Sequence, residues 1–208
     1  MWLPILLTVL IGYLLGNLNG AVCISNLVAH EDVRNQGSGN AGLTNFIRNY
    51  GAASSLSVIL IDGGKAALAC LAGGLMLEPY DMYMEGMAIG GAAVMLGHDF
   101  PALLGFRGGK GILSGCVIAF TMDWRVGLLI LGVFVVAYLL TGYVSLGSVL
   151  GSAGFGVGFA VFHYDNLIVL LCGIFMSALA VYMHRGNIVR LVKGNERKTN
   201  LFGKGEKR

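Results

Sequence analysis

Residues 112–182 read ILSGCVIAFTMDWRVGLLILGVFVVAYLLTGYVSLGSVLGSAGFGVGFAVFHYDNLIVLLCGIFMSALAVY, a nearly continuous apolar stretch. Its charged residues are Asp123, Arg125 and Asp165. A helix that spans a membrane needs about 20 mostly apolar residues. Three polar breaks divide the stretch into four pieces, near 123–125, 141–142 and 163–166. The first piece, 112–122, is short for a full crossing, so we expect it to be tilted or backed by glycine-rich neighbours.

Three more apolar segments precede this stretch, at about 3–25, 52–77 and 84–104. The whole chain is 56% hydrophobic and 12% charged, whereas soluble domains carry about 25% charged residues, so its surface must face lipid. Its 33 glycines agree with this, because small residues let membrane helices approach closely. The sequence predicts an all-α, polytopic membrane helical bundle of about seven transmembrane helices with short, cytoplasmic, glycine-rich loops. Five crossings are the alternative, if the shorter pieces are re-entrant.

Positive charge falls almost entirely on one side of such a bundle. With seven crossings, the loops 26–49 and 105–111 and the segment after residue 182 share a side and hold nearly all of the Arg and Lys residues, whereas the other side holds only Arg125. Arg and Lys accumulate in cytoplasmic loops. We therefore predict that the C-terminus and the glycine-rich loops are cytoplasmic and that the N-terminus lies outside.

The chain divides into one membrane domain, 1–192, and a basic cytoplasmic tail, 193–208. The first apolar run has no basic residue before it and no small-residue cleavage pattern after it, which favours a retained helix over a cleaved signal. The four cysteines lie far apart in apolar segments, so we expect them to be packing residues rather than disulfides or metal ligands.

The first glycine-rich segment runs from Gly37 to Asn45 and closes on Arg48. Glycines allow positive φ, so that successive backbone N–H groups can point at one anion. Arg48 adds a guanidinium that can bind a phosphate in two places. Further neutral donors come from Ser38, Asn40, Thr44 and Asn45. We interpret the segment as an anion site; an ordinary flexible loop, the alternative, would be expected to contain more Lys, Glu and Pro.

The second segment joins Gly97-His98-Asp99-Phe100-Pro101 to Phe106-Arg107-Gly108-Gly109-Lys110-Gly111. Gly-Gly-Lys-Gly before an apolar helix resembles a phosphate loop, in which helix-start amides and a lysine meet. It is not a Walker A motif, because Leu104 stands where that motif has glycine and Gly111 where it has Ser or Thr. Nucleotide hydrolysis is therefore not expected. His98 has two interpretations, as part of the site or as a hydrogen-bonded histidine at a helix end.

Two further polar segments fall on the same predicted side, 143–145 at the start of a span and 184–196 after the last one. On a helix that continues from the last span, His184 and Asn187 share one face and Arg185 lies beside it. Juxtamembrane Lys and Arg residues commonly anchor to acidic lipid, but His184 and Asn187 are not lipid anchors.

Asp62 and Lys65 lie within the second predicted span, three residues apart and therefore on one helix face. Ionisable groups inside a membrane cost on the order of 2.5–3.5 kcal/mol each and are usually paired or functional. We predict that these two side chains form a mutual ion pair.

Several familiar catalytic arrangements are absent from the sequence. No histidine has an aspartate five residues further on, so the H-x-x-x-x-D acyltransferase dyad is missing. There is no G-x-S-x-G elbow and no cluster with metal-ligand spacing. What remains is a cytoplasmic rim of neutral-to-positive glycine loops, which suits a substrate with a phosphate and one apolar end.

These segments resemble the bacterial membrane glycerol-3-phosphate acyltransferases that use acyl phosphate, the PlsY family, over essentially the whole chain. The motifs are G-S-G-N-x-G-x-T-N-x-x-R at 37–48, D-x-x-K at 62–65, G-H-x-x-P with F-x-G-G-K-G at 97–111, Y-V-S at 143–145, and H-R-x-N-I-x-R-L-x-x-G-x-E at 184–196. One departure lies in the first span, where Gly16-Asn17 stands in place of the Gly-Ser common in the family.

The resemblance implies transfer of an acyl chain from acyl phosphate to the sn-1 hydroxyl of glycerol 3-phosphate, giving lysophosphatidic acid and phosphate, the first acylation step of phospholipid synthesis. It implies a multi-pass protein of the bacterial cell (inner) membrane with a cytoplasmic active site. Its partners are the two substrates, the lipid bilayer and, through supply of the donor, a soluble enzyme that forms acyl phosphate. No metal, other cofactor, acyl-CoA, acyl-carrier protein or nucleic acid is implied.

The resemblance also implies which residues form the site. The implied catalytic residues are Ser38, Arg48, Lys110, His184 and Asn187. The implied substrate-binding residues are Gly37, Gly39, Asn40, Gly42, Thr44, Asn45, His98, Gly108, Gly109, Gly111, Ser145 and Arg185. Because no strong general base is evident, we expect the leaving phosphate to accept the hydroxyl proton, with His184 assisting by hydrogen bonding.

Two other functions remain open from the residues alone. A membrane transporter for an organic phosphate would use the same basic loops, but transporters place their binding groups near the bilayer midplane, and only Asp62 and Lys65 lie deep in a span. A membrane phosphatase or phosphotransferase is disfavoured because acidic metal ligands are missing.

Overall fold

A computed structural model of the chain describes residues 1–198. The end of the predicted basic tail, 199–208, lies outside the described residues. Within residues 1–198 the helices are α1 (Trp2–Asn17), α2 (Gly20–Ala29), α3 (Leu43–Tyr50), α4 (Ser55–Leu77), α5 (Tyr83–Asp99), α6 (Ile112–Met122), α7 (Trp124–Thr141), α8 (Val144–Phe162), α9 (Leu167–Met183) and α10 (Arg185–Val192). Short 3-10 turns occupy Val33–Asn35, Glu78–Tyr80 and Ala102–Leu104. This described part contains no strand, and the predicted all-α fold is confirmed.

Each apolar segment predicted from the sequence is helical. Among residues 1–198, five segments are long and apolar enough to cross a membrane: Trp2–Ala29, Ser55–Tyr80, Tyr83–Leu104, Trp124–Thr141 and Val144–Phe162. The pair α9 and α10 adds a sixth if it is counted as one span, bent by 55°. α6 has only 11 residues and is short, as predicted. The expected count of about seven therefore corresponds to seven apolar helical segments, five or six of which have the length of a full crossing.

The first span is broken, which differs from the single helix predicted over 3–25. α1 ends at Asn17 and α2 begins at Gly20. The side chain of Asn19 caps α2, because its Oδ1 accepts from the Val22 N–H at 3.0 Å. Asn17, the departure from the family pattern, accepts from the Leu103 N–H at 3.0 Å. Asn17 and Asn19, on either side of Leu18, thus accept hydrogen bonds from backbone N–H groups at this break.

The predicted loop 26–49 is also more ordered than the sequence suggested. α2 continues to Ala29, and α3 carries Arg48 on a helix rather than on a loop. A small apolar core holds this region, and its buried members are Ala21, Val22, Val33, Ala41, Phe46 and Val58. The apolar residues Leu43, Phe46, Ile47 and Tyr50 follow helical spacing, but α3 has only eight residues and directly follows the glycine-rich segment.

Glycines let the central helices touch backbone to backbone. A Cβ on Gly90 in α5 would lie 2.2 Å from the Ala69 carbonyl oxygen in α4, and one on Gly73 would lie 2.2 Å from the Gly86 carbonyl oxygen. Such close approach is how membrane helices gain packing energy when hydrophobic burial offers none. α5 is thereby fixed in the middle of the bundle, and its end at Asp99 defines the position of the loop that follows.

We expect Gly90→Ala to destabilise the protein, because the new methyl group collides with the backbone of α4 rather than with a movable side chain. Overpacking of this kind costs typically about 1–3 kcal/mol. The midpoint of thermal unfolding in detergent should fall. Gly132→Ala in α7 is the matched control, since nothing lies within 4 Å of its Cβ position. Equal midpoints for the two variants would contradict this packing.

Candidate active site

The first glycine-rich segment is built around the buried amide of Asn45. Its Nδ2 donates to the carbonyls of Val33, Gln36 and Asn40 at 3.1 Å each, and its Oδ1 accepts from the Ser38 N–H at 2.9 Å. Gly37 and Gly39 have φ of 57° and 71°, which glycine adopts without strain. Asn45 therefore holds the conformation of this segment. Its side chain bonds to the loop backbone and is not available to a substrate.

Arg48 projects from α3 at the end of this segment. Burial lowers the pKa of its guanidinium, with the Glu196 carboxylate acting in the opposite direction and Arg197 adding to the lowering. The charges that act on Arg48 therefore belong to the C-terminal segment. The first and the last predicted motifs meet in space.

The second segment folds back onto the end of α5. The Gly109 N–H donates to the His98 carbonyl at 3.0 Å, and the Gly108 N–H donates to the Asp99 carbonyl at 3.2 Å. A Cβ on Gly108 would lie 2.0 Å from the His98 carbonyl oxygen, so only glycine fits this approach. Gly111, with φ of 68°, is the N-cap of α6. Lys110 is thus presented from a loop whose backbone is held on both sides.

Lys110 connects this loop to the C-terminal segment. Its Nζ donates to Asn187 Oδ1 at 2.5 Å, and Asn187 Nδ2 donates to Glu196 Oε1 at 3.0 Å. Arg190 Nε donates to the other Glu196 oxygen at 2.7 Å. Burial is the main cause that lowers the pKa of Lys110; the Arg190 charge lowers it further, Glu196 opposes this, and Arg48 and Arg185 add smaller lowering effects. The side chains of Lys110, Arg48, Arg185 and Arg190 therefore lie close together in a partly buried region.

His184 occupies the bend between α9 and α10. The sequence predicted a helix that continues through this residue, which is wrong, because α9 ends at Met183 and α10 leaves at 55°. His184 Nδ1 lies 2.8 Å from the Ala180 carbonyl. A carbonyl can only accept, so Nδ1 carries a proton, and in the neutral ring Nε2 is the acceptor. The bend therefore places a buried imidazole beside Lys110 and Asn187.

Ser145 begins the first turn of α8 near the same group. Its Oγ is buried and, within residues 1–198, makes no hydrogen bond of normal geometry, although it lies close enough to the Glu196 carboxylate to help lower its pKa. Burial raises the pKa of Glu196, but the bonds from Asn187 and Arg190 outweigh burial and hold it below the ordinary value. Ser145 thus places a buried hydroxyl at this rim, close to the Glu196 carboxylate.

Residues from all four predicted segments thus converge on one rim. Its members are Arg48, Lys110, Ser145, His184, Arg185 and Asn187, together with Arg190 and Glu196. Of the other predicted members, Asn45, His98, Gly108, Gly109 and Gly111 hold the two loops described above. The other six, Gly37, Ser38, Gly39, Asn40, Gly42 and Thr44, lie on the first loop and the first turn of α3. No hydrogen bond in the described part of the chain joins these to Lys110 or His184, so their contact with a substrate stays a prediction.

Sequence reasoning did not assign a role to Glu196 or Arg190. Glu196 is the only acidic residue among the described positions of the predicted basic tail. An acidic residue surrounded by basic ones was the feature of the sequence that could have indicated its role. Its carboxylate occupies the middle of the cationic rim, where it compensates charges that would otherwise repel one another.

We expect Glu196→Gln to shift the alkaline limit of activity to lower pH. Lys110 is charged below its pKa, and the negative charge of Glu196 raises that pKa; removing the charge lets Lys110 lose its proton earlier as the pH rises. Initial rates measured across the alkaline range test this. Glu78→Gln, at an exposed turn outside the rim, should leave the profile unchanged, and an unshifted limit in Glu196→Gln would contradict the coupling.

Comparisons with known proteins agree over nearly the full length. Residues 6–194 match the family model described as Glycerol-3-phosphate acyltransferase. The glycerol-3-phosphate acyltransferase of Thermoanaerobacter sp. (strain X514) is 38% identical over 192 residues, covering 92% of this chain and 94% of that protein. The enzyme of the same name from Clostridioides difficile (strain 630) is 37% identical over 191 residues, with 90% and 92% covered.

Two solved structures have the same fold. One is the crystal structure of PlsY (YgiH), an integral membrane glycerol 3-phosphate acyltransferase, in its glycerol 3-phosphate form, with a TM-score of 0.85 and 31% identity over 96% of this chain and 99% of that one. The other is the lysophosphatidic acid form, with a TM-score of 0.82 and 30% identity over 94% and 95%.

Proposed function

Because this chain belongs to the PlsY family of integral membrane glycerol-3-phosphate acyltransferases, we propose that its donor is an acyl phosphate and its acceptor the sn-1 hydroxyl of glycerol 3-phosphate. The products are lysophosphatidic acid and phosphate. The observation that carries this proposal is the convergence of Arg48, Lys110, Asn187 and His184 on one rim at the helix ends. Two substrates that each bear a phosphate need such a group of cations.

The reaction needs orientation more than activation, because an acyl phosphate is already reactive. The acceptor oxygen attacks the acyl carbonyl carbon, the bond from that carbon to the phosphate oxygen breaks, and phosphate departs. Holding both reactants in line contributes about 7–11 kcal/mol in favourable cases. Lys110 and Arg48 stabilise the negative charge that grows on the departing phosphate.

The acceptor proton has two nearby destinations. His184 Nε2 is an acceptor, because Nδ1 donates to Ala180, so it can receive a hydrogen bond from the attacking hydroxyl and orient it. The departing phosphate is the stronger acceptor once its bond to carbon breaks, and it takes the proton. His184 is therefore an orienting group in this proposal, and the phosphate is the base.

We place this reaction at the cytoplasmic face of the bacterial cell membrane, with the N-terminus outside. The support is the distribution of Arg and Lys over the loops. The donor would come from a soluble enzyme that forms acyl phosphate, since an activated anhydride of this kind must be supplied from elsewhere. A reporter active on only one side of the membrane, fused to the N-terminus, tests the orientation.

The activity is tested with purified protein in detergent, palmitoyl phosphate, glycerol 3-phosphate and a chelator. We expect phosphate release that depends on glycerol 3-phosphate, with lysophosphatidic acid detected by mass spectrometry, and no product when palmitoyl-CoA replaces the acyl phosphate. Product formation from palmitoyl-CoA alone would overturn the proposed donor. Failure to form product from either donor, together with uptake of glycerol 3-phosphate into liposomes, would favour a transporter.

A further inference from the structure

A polar cluster lies inside the bundle, below the loop 105–111. Asp62, Lys65 and His98 are 2%, 3% and 5% exposed. The predicted ion pair is confirmed, since Lys65 Nζ lies 2.8 Å from Asp62 Oδ1. The pair is not isolated, however, and its further contacts reach both glycine-rich segments.

The surroundings of Lys65 determine which nitrogen of His98 carries a proton. Lys65 Nζ contacts the carboxylate of Asp62, donates to the carbonyls of Gly16, at 3.2 Å, and Leu18, and lies 2.9 Å from His98 Nδ1. A carboxylate and two carbonyls only accept, so this lysine is an ammonium group with no lone pair, and its three N–H groups are shared among four neighbouring acceptors. An N–H on His98 Nδ1 would point at this cation, so we assign Nδ1 as the unprotonated nitrogen of a neutral imidazole that carries its proton on Nε2.

The opposite edge of the His98 ring supports the loop that carries Lys110. A Cβ on Gly109 would lie 2.0 Å from His98 Nε2, so the ring and the Gly109 backbone are in direct contact. The same residue accepts the Gly109 N–H through its carbonyl. The position of His98 thus sets the position of Gly109, and Lys110 is the next residue.

A second arm of the cluster runs to the first glycine-rich segment. Lys65 holds the carbonyls of Gly16 and Leu18, at the break of the first span, and Asp62 Oδ1 accepts from the Gly20 N–H at 3.0 Å. Between these positions, Asn19 Nδ2 donates to the Ala41 carbonyl at 3.0 Å. Both glycine-rich segments are therefore attached to one buried pair.

We propose that Lys65 is a positioning residue for the substrate site: it fixes His98 as the neutral Nε2–H imidazole, and through this ring it holds the Gly108–Gly111 loop in its binding geometry. The inference rests on the proposed function, because the loop affects turnover only by binding a phosphate of the substrate. The predicted protonation state of His98 does not depend on turnover and can be tested separately.

The test compares two substitutions of His98 in protein with Lys65 intact, because a Lys65 variant could fail to fold. Asn places an amide oxygen near the position of Nδ1, where Lys65 can still donate to it, whereas Gln places its amide near Nε2 and leaves Lys65 without that acceptor. Each variant breaks one of the two contacts through which Lys65 acts on the loop, so we expect kcat/KM for glycerol 3-phosphate to fall about a hundredfold in both, mainly through KM. Near-normal kcat/KM in His98→Gln, which keeps an amide beside Gly109 but loses the contact with Lys65, would overturn the proposal.

Nuclear magnetic resonance of the ¹⁵N-histidine-labelled wild type supplies a readout without turnover. The chain has four histidines, and the signal missing from His98→Asn identifies His98. We expect an unprotonated Nδ1 and a protonated Nε2 at neutral pH; a protonated Nδ1 would refute the inference even if the enzyme is active. Conversely, an inactive wild type with the expected signals would refute the proposed function and leave the state of His98 established.

Discussion

Lys110→Ala is expected to lower the rate of acyl transfer about 10²–10³-fold, the range found when one donor to a developing negative charge is removed. Lys110 is the cation that the loop 105–111 presents to the rim, and its bond to Asn187 shows that it reaches across to α10. Removing it also relieves repulsion from Arg190, so the variant should fold and insert normally. Phosphate release with both substrates at saturation, compared at equal amounts of folded protein, measures the loss.

Lys193→Ala is the matched control, because Lys193 is an exposed lysine just after α10 and contributes charge without reaching the rim. Lys110→Arg adds a second comparison. Its guanidinium keeps the charge but is a planar fork rather than a compact ammonium, so partial activity would identify charge as the main contribution. A rate for Lys110→Ala within a few-fold of the control would remove Lys110 from the phosphate site.

Gly109→Ala is expected to reduce kcat/KM about a hundredfold, the loss that a displacement of about 1 Å can cause. The added methyl carbon would lie 2.0 Å from His98 Nε2 and 2.8 Å from two ring carbons. The ring cannot retreat easily, because Lys65 holds its Nδ1 from the other side. The loop must therefore move instead, and Lys110 moves with it.

Gly64→Ala provides the control for this substitution. Gly64 neighbours Lys65 in α4, but nothing lies within 4 Å of its Cβ position, so the methyl group should be accepted. Kinetics and thermal unfolding of the two variants should be measured together. A Gly109→Ala enzyme with unchanged kcat/KM would show that the loop does not depend on this close approach.

The pattern of apolar residues was sufficient to predict the helical segments, and residue spacing was sufficient to predict the ion pair of Asp62 with Lys65. The length of each apolar segment can be read directly from the run of apolar residues. A spacing of three residues places Asp62 and Lys65 on one helix face whatever surrounds them. The same reasoning brought residues 37–48, 97–111 and 184–196 to one side of the bundle. The contacts that join them at one rim needed the structure, because the helix ends that bring them together are set by packing.

The elements that were missed depend on single side chains bonding to distant backbone. The break near Asn19 requires the Ala41 carbonyl as a partner, and the bend at His184 requires Nδ1 to turn onto Ala180. Neither bond alters the apolar pattern, so both spans read as uninterrupted. Glu196 ended the motif at 184–196 but received no role, since its bonds to Asn187 and Arg190 form only after the chain has turned back.

The brevity of α6 has a consequence for where the substrates meet. Eleven residues extend about 16 Å, roughly half of a hydrocarbon layer that is about 30 Å thick. In the orientation proposed above, Asp123, paired with Arg125 at 2.7 Å, would end this helix at the outer boundary, and Lys110 at its start would be recessed below the inner headgroups. The proposed acyl phosphate would then present its carbonyl to the site while its fatty tail stays in the hydrocarbon layer, and glycerol 3-phosphate would enter from the aqueous side.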